Sequence, residues 1–216
     1  MDTEPILKQA LETLRSGGVI LYPTDTVWGI GCDATDPAAV ARVFSIKHRA
    51  DSKALVLLAA DLDMIARYVK VIPQMAIDLV EVNDRPMTLI YPGAIAGKMP
   101  DQVGHDEIVI SSAVEKSPAD HRRLAWNVVA EDGSVGIRIP MSAFCRQLAF
   151  KLGRPIVSTS ANISGEPTPA RFTDIADEIK SAVDYACPPK TDTESTGKAS
   201  QIIFIGLDGE VKIIRA

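Results

Sequence analysis

Several features that would narrow the class of protein are scarce or missing in this chain of 216 residues. Its three cysteines, Cys32, Cys145 and Cys187, lie far apart and form no CxxC pair. They therefore indicate neither a disulfide framework nor a cysteine zinc site, and they fit a reducing compartment. No apolar run approaches the roughly 20 residues that a membrane span needs, and residues 1–8 lack the apolar core of a signal peptide. We expect a soluble, cytoplasmic protein with no membrane contact.

The common catalytic motifs are also missing. The sequence contains no GxxxxGK[ST] phosphate loop, no GxGxxG dinucleotide fingerprint and no GxSxG nucleophile elbow. The three histidines, His48, His105 and His121, have no metal-ligand spacing, so we predict no metal site built by the protein alone. A covalent mechanism has no obvious nucleophile.

The composition is that of an ordinary globular protein. It is 46% hydrophobic and 24% charged, and the net charge of -5 argues against a generic polyanion binder while leaving room for a local basic patch. Predicted helices and strands alternate, and an antiparallel hairpin closes the chain. This order predicts a single α/β domain over residues 1–216 with a mixed sheet.

The expected elements follow from apolar periodicity and from capping residues, and the predicted N-caps include Asp36, Asp61 and Ser142. Predicted helices cover 4–16, 36–46, 61–68, 73–82, 142–152 and 173–183. Predicted strands cover 19–22, 54–58, 87–91, 107–110, 135–139 and 156–158, with 201–205 and 210–214 as the final hairpin. The strand at 54–58 is almost entirely apolar, so we expect it to be central and covered on both faces. The segment 112–133 is long and polar, and no element is assigned to it.

Residues 22–31 are the segment around which we expect the chain to be organised. Pro23 ends an apolar strand, and Thr24, Asp25 and Thr26 follow it directly, before Trp28 and two glycines. Hydroxyls, an aromatic ring and glycines at a strand end predict the wall of a small-molecule pocket. An ordinary strand and turn with a buried tryptophan explains the same residues.

Three further groups of polar residues are candidates for chemistry. The cations Lys47, Arg49 and Lys53 suit phosphate binding, or they interact with a helix dipole. The segment 158–165 follows a strand with four hydroxyls and an amide, which suits a nucleotide or an amino acid, or caps its own backbone. Arg138 lies inside an apolar strand, where it either faces a ligand or forms a structural salt bridge.

Together these segments resemble the threonylcarbamoyl-AMP synthase family, the YrdC-like proteins. The resemblance rests on YPTDTVWG at 22–29, KHR at 47–49, VGIRIP at 135–140 and STSANISG at 158–165. Their order and spacing match over roughly residues 6–205. The resemblance implies an open, twisted mixed sheet with helices around a concave cavity.

The resemblance also implies an activity. L-threonine, bicarbonate or CO₂, and ATP with Mg²⁺ would give threonylcarbamoyl-AMP and pyrophosphate, for the N6-threonylcarbamoyladenosine at position 37 of tRNA. Downstream transfer proteins would pass the group to tRNA, and weak tRNA binding is a further expectation. The residues with an implied catalytic role are Lys47, Arg49, Ser160 and Asn162. The residues implied to bind threonine or ATP are Thr24, Thr26, Lys53, Thr88, Ser134, Arg138, Ser158 and Ser200.

Two other functions stay open at this point. A concave basic surface could bind double-stranded RNA or tRNA through phosphates, without catalysis. YrdC-like domains also occur in enzymes that handle carbamoyl-adenylate, although those enzymes are longer and carry zinc-finger-like cysteines that this chain lacks.

Overall fold

Most of the chain folds around one mixed sheet. The computed structural model describes residues 3–48, 55–98 and 121–216. Within these ranges, nine strands lie in the order β7-β1-β2-β6-β3-β5-β4-β8-β9. They are β1 Ile20–Tyr22, β2 Gly29–Gly31, β3 Val56–Leu58, β4 Met87–Tyr91, β5 Val135–Arg138, β6 Ile156–Ser160, β7 Tyr185–Ala186, β8 Gln201–Ile205 and β9 Val211–Arg215. β3 and β5 are parallel, whereas β3 and β6 are antiparallel, which confirms the predicted mixed sheet.

Helices accompany this sheet at positions close to those predicted. They are α1 Glu4–Arg15, α2 Pro37–Ile46, α3 Leu62–Ala66, α4 Gln74–Val82, α5 Ala143–Leu152 and α6 Asp177–Ala182. Three predicted N-caps are confirmed, because Asp36, Asp61 and Ser142 each accept a hydrogen bond from the main chain of the first helical turn. Their side-chain oxygens fix where α2, α3 and α5 begin.

The strand that was predicted to be central is in the middle of the sheet. β3 pairs with β5 on one side and β6 on the other, and Leu57 and Leu58 are fully buried. This is the position that a nearly continuous apolar run favours. β3, β5 and β6 therefore form a rigid base, and the polar residues that follow in β5 and β6 are held on it.

Three predictions about elements were wrong. Gly29–Gly31 forms strand β2, where the sequence indicated only a turn, because a glycine at 31 lets the main chain approach Val157 closely. Strand β6 continues to Ser160, two residues beyond its predicted end. The single helix predicted over 173–183 is interrupted: a 3₁₀ turn covers Phe172–Asp174, and Ile175 and Ala176 are extended before α6. The Asp174 carboxylate closes that turn by accepting the Arg171 N–H.

Some predictions fall outside the described residues. The strand predicted over 107–110 and the cations Arg49 and Lys53 lie there. In the described remainder of 112–133, a 3₁₀ helix covers Trp126–Val128. No helix in the described ranges is long and apolar enough to cross a membrane. All three cysteines are buried and unpaired.

Candidate functional site

A cavity of about 310 Å³ lies where β2, β3, β5, β6 and β8 expose one common face of the sheet. Its volume falls within the roughly 300–1,000 Å³ of small-molecule pockets. Hydroxyls and guanidinium groups dominate its polar lining, and the described lining includes no carboxylate. The polar side chains are Thr24, Thr26, Arg138, Ser158, Thr159, Ser160, Ser200 and Arg215.

The turn between β1 and β2 holds its hydroxyls in one defined arrangement. Thr24 Oγ1 donates to the Val27 carbonyl at 2.7 Å. The 2.8 Å bond between the hydroxyls of Thr24 and Thr26 must then use the Thr26 proton. Both hydroxyl protons are therefore committed inside the turn. Thr24 Oγ1 also accepts from the main-chain N–H groups of Thr26 and Val27, so only the Thr26 oxygen keeps a lone pair for the cavity.

Arg138 enters the cavity from β5 and is paired with a buried carboxylate. Its NH1 donates to Asp25 Oδ1 at 2.5 Å and its NH2 to Thr26 Oγ1 at 3.2 Å. The side chains of Arg138 and Asp25 are each only 3% exposed. Both functions weighed for Arg138 are thus present together: it forms a buried ion pair and it also lines the cavity.

The structure brings together Lys47, Ser160 and Asn162, which the resemblance assigned to catalysis. Lys47 Nζ donates to the main-chain oxygens of Ser160 at 2.5 Å and Asn162 at 2.6 Å. Ser160 Oγ donates to Asn162 Oδ1 at 2.5 Å. Lys47 is 3% exposed, so its ammonium group holds the Ser160–Asn162 segment at the end of β6.

A second polar group lies at the opposite wall of the cavity. The hydroxyls of Thr88 and Ser200 are 2.8 Å apart, although the residues are 112 positions apart. The guanidinium group of Arg215 donates through Nε and NH2 to the Ser200 carbonyl, at 2.9 Å and 2.7 Å. Ser200 and Arg215 line the cavity directly, and the buried Thr88 supports Ser200 from behind.

The loop before β8 folds over the Thr24–Thr26 turn. The main-chain N–H groups of Thr196 and Gly197 donate to the carbonyls of Asp25 and Thr26, at 3.1 Å and 2.8 Å. Ser195 Oγ donates to the Thr26 carbonyl at 2.8 Å. These bonds place Ser200 opposite the turn. This arrangement could not be predicted from the sequence, because the two segments are far apart in the chain.

Among the described residues that were predicted to form the site, Lys47, Thr88, Asn162 and Ser134 do not line this cavity. The first three contact residues that do line it or that adjoin them, whereas Ser134 lies further away. It precedes β5, whereas Arg138 ends it, so the two are about 13 Å apart along the strand. Its main-chain N–H donates to Asp132 Oδ1 at 2.9 Å, and hydrogen bonds from Ser134 lower the pKa of the Asp132 carboxyl. The substrate role of Ser134 stays a prediction without support from this geometry.

Two residues at the site were missed. Asp25 carries a recognisable signal, since it lies between two threonines that were themselves predicted. Arg215 carries none, because a basic residue at the end of a terminal strand is common on protein surfaces. Only the pairing of β8 with β9 shows that its guanidinium group reaches Ser200.

A larger cavity of about 460 Å³ lies near α3, α4 and α5. Its lining includes the buried side chains of Ile65, Leu89 and Ile137. The threonines and serines predicted to bind substrate do not line it. The smaller cavity has the donor set that nucleotide and amino-acid chemistry requires, so we place the candidate site there.

Comparison with known proteins identifies the family. The Sua5/YciO/YrdC family profile, described as telomere recombination, matches residues 12–111 and 110–216. The threonylcarbamoyl-AMP synthase of Stenotrophomonas maltophilia is 36% identical over 168 residues, which are 78% of this chain and 77% of that protein. That of Chromohalobacter salexigens is 30% identical over 182 residues, 84% of each chain. This chain belongs to the Sua5/YciO/YrdC family, which confirms the resemblance read from the sequence.

Solved structures agree with the fold. The structure of P. abyssi Sua5 complexed with L-threonine has a TM-score of 0.74 and 24% identity, covering 94% of this chain and 51% of that one. E. coli YciO has a TM-score of 0.69 and 22% identity, covering 98% and 89%. This chain thus spans about half the length of the Sua5 structure. At these identities the two likenesses establish the mixed α/β fold alone.

Proposed function

We propose that this protein is an L-threonylcarbamoyladenylate synthase, a nucleotidyltransferase that makes threonylcarbamoyl-AMP and pyrophosphate from L-threonine, bicarbonate or CO₂, and ATP. The observation that carries the proposal is the 310 Å³ cavity, in which hydroxyls and two guanidinium groups face one another. The relatives named threonylcarbamoyl-AMP synthase, at 36% and 30% identity over most of the chain, support the same reaction. The product would serve the threonylcarbamoyl modification of tRNA.

The reaction depends on the positioning of its substrates more than on a strong base. The amine of threonine adds to CO₂ with loss of a proton and gives a carbamate anion. A carbamate oxygen then forms a bond to the α-phosphorus of ATP, and the bond from that phosphorus to pyrophosphate breaks. Since the nucleophile is already anionic, the protein has to hold two negatively charged groups together and exclude water.

The two walls of the cavity differ in charge, so each suits a different substrate group. Arg138 is neutralised in part by Asp25, so this wall suits the single carboxylate of a zwitterionic amino acid. Arg215 donates to a neutral carbonyl, so its full positive charge is available for phosphate oxygens. Ser160 ends β6 and lines the cavity, and its hydroxyl is hydrogen-bonded to Asn162, so this pair suits the reacting groups. Arg49 and Lys53, outside the described residues, are proposed to add phosphate contacts.

Mg²⁺ fits this cavity as a complex with ATP. The described lining offers hydroxyls and cations and no carboxylate, so phosphate oxygens and water would supply most of its ligands. When bound, the ion neutralises charge on the phosphates. The proteins that transfer the threonylcarbamoyl group to tRNA, and any direct contact with tRNA, belong to the proposal through the family alone.

The test is pyrophosphate release from ATP with Mg²⁺, with threonine and bicarbonate each added and withheld. We expect release only when both are present, and a nucleotide product with the mass of threonylcarbamoyl-AMP. Carbamoyl phosphate in place of threonine should give no release, which separates this activity from carbamoyl-adenylate chemistry. Folded protein that releases no pyrophosphate and binds RNA with steep salt dependence would overturn the proposal in favour of an RNA-binding module.

A further inference from the structure

The carboxylate of Asp25 is fully engaged inside the protein. Oδ1 accepts from Arg138 NH1 at 2.5 Å, and Oδ2 accepts from the main-chain N–H of Met141 at 2.9 Å. The side chain is 3% exposed, and Asp25 is not among the residues lining the cavity. Asp25 therefore has no oxygen to offer a substrate, and it acts on the site only through the groups that it holds.

The group that it holds is the guanidinium of Arg138. This side chain lines the cavity, and the hydrogen bonds to Asp25 and Thr26 engage two of its five N–H donors. The remaining donors are those that a ligand can use. Arginine has a long side chain with several rotatable bonds. A carboxylate that binds one end of the planar guanidinium group therefore fixes the direction in which its remaining N–H donors point.

The same contact orients the threonine hydroxyls. Because Arg138 NH2 donates to Thr26 Oγ1, the Thr26 proton points elsewhere, and the acceptor within reach is Thr24 Oγ1 at 2.8 Å. The Thr24 proton in turn goes to the Val27 carbonyl. The anchored Arg138 thus orients both hydroxyls. Thr24 Oγ1 is saturated by the N–H groups of Thr26 and Val27, and Thr26 Oγ1 keeps one lone pair for a ligand in the cavity.

We infer that Asp25 is the positioning residue for the amino-acid half of the site. It holds Arg138 to receive the substrate carboxylate. Through Arg138 it also holds Thr26, with Thr24 behind it, as an acceptor for an N–H or O–H group of the substrate. This inference rests on the proposed function. The ion pair has little net charge, so this wall favours a zwitterionic amino acid over a triphosphate, which faces the unneutralised Arg215.

The experiment compares Asp25→Asn with Asp33→Asn in the pyrophosphate-release assay. Asp33 is a matched control, because its carboxylate is equally buried and pairs with Arg154 at 2.9 Å away from the cavity. For Asp25→Asn we expect the KM for threonine to rise about tenfold or more and the KM for ATP to change by less than about threefold. For Asp33→Asn we expect neither KM to change beyond about threefold.

A double variant tests whether Asp25 acts through Arg138. If it does, Asp25→Asn/Arg138→Lys should raise the threonine KM no further than Arg138→Lys does alone, because the two residues act as one unit. Should Asp25→Asn fail to fold, Arg138→Lys with Asp25 intact tests the same step, and it should show the same selective rise.

Three results would overturn the inference while leaving the synthase activity in place. They are an unchanged threonine KM in Asp25→Asn, an equal rise of both KM values, and fully additive effects in the double variant. Failure of the proposed function itself looks different, since the unmodified protein would then release no threonine-dependent pyrophosphate.

Discussion

The indole Nε1 of Trp28 donates a 2.7 Å hydrogen bond to Oδ2 of Asp192, and so joins the start of β2 to the loop that leads to Ser200. Trp28→Phe retains an aromatic ring against Phe172, whose centroid is 4.9 Å away, but leaves Asp192 without this donor. We expect the free energy of unfolding to fall by about 1–3 kcal/mol. We also expect the KM for ATP to rise, because Ser200 is held less firmly.

Urea unfolding and pyrophosphate release measure these two effects. Asp192→Ala removes the other partner of the bond. The effects of Trp28→Phe and Asp192→Ala should therefore be less than additive in the double variant, and strict additivity would contradict a direct contribution from this bond.

Lys47 should contribute both stability and turnover. Lys47→Met keeps the apolar stem and removes the ammonium group that the carbonyls of Ser160 and Asn162 accept from. We expect a loss of about 1–3 kcal/mol in the free energy of unfolding, because buried oxygens lose a charged donor. We expect kcat to fall about tenfold or more. The exposed Lys8→Met on α1 is the control and should change neither quantity. Normal turnover in folded Lys47→Met would remove Lys47 from the catalytic group.

Arg215 should matter for ATP rather than for stability. Arg215→Gln removes the positive charge that lines the cavity beside Ser200. We expect the KM for ATP to rise about tenfold, the size expected for a lost charge-assisted contact to phosphate. Lys212→Gln makes the same charge change on the same strand, outside the cavity lining, and should leave the KM for ATP unchanged. An equal effect of both variants would point to the overall charge of β9 instead.

Two glycines in β2 should respond differently to alanine. A Cβ at Gly31 would lie 2.4 Å from the Val157 carbonyl oxygen, a main-chain atom that cannot move aside cheaply. A Cβ at Gly29 would have ordinary contacts of 3.5 Å with Ser158 and Thr24, which line the cavity. We expect Gly31→Ala to lower the melting temperature strongly. Gly29→Ala should have a melting temperature close to that of the unmodified protein. It should bind substrate more weakly, because the added methyl group narrows the cavity. Equal melting temperatures would argue against the close approach at Gly31.

Alkaline pH should destabilise the fold. Burial raises the pKa of the Cys145 and Cys187 thiols to about 12. Between a thiol pKa of about 8.5 in the unfolded chain and about 12 in the folded protein, only the unfolded state loses these protons. Stability is therefore fully present below the lower value and falls as pH rises, by about 1.4 kcal/mol per pH unit for each such thiol.

Urea unfolding at pH 7, pH 8.5 and pH 10 measures this dependence. Cys187→Ala should show a shallower loss than the unmodified protein, because one of the titrating groups is gone. A free energy of unfolding that stays constant from pH 8.5 to pH 10 would contradict the expected behaviour.

Sequence patterns predicted most of the local structure. Capping residues such as Asp36 and Ser142 act on their own helix within a few positions, so their effect is readable from adjacent residues. The apolar run of β3 likewise indicated a central strand. The segment 173–183 misled because its apolar spacing suits a helix, whereas the extended main chain at Ile175 and Ala176 separates the 3₁₀ turn at Phe172–Asp174 from α6.

The candidate site was predictable where its residues belong to short motifs. Thr24, Thr26, Ser158 and Ser160 all line one cavity, as the motifs suggested. The pairing of Asp25 with Arg138 could not be predicted from a motif, because the two residues are 113 positions apart. The register of the sheet is what brings them together. The position of Arg215 in the site could be found only once the terminal hairpin was placed beside β4.

By itself, the sequence determined the family, the helix starts, the central strand and the types of polar group available for the reaction, because each depends on residues that are near one another in the chain. Only the tertiary structure decided which carboxylate partners Arg138, which hydroxyl faces Ser200 and which terminal cation completes the cavity. Those contacts arise when strands far apart in sequence become neighbours in one sheet, and hydrogen bonds are then selected by distance and direction in space.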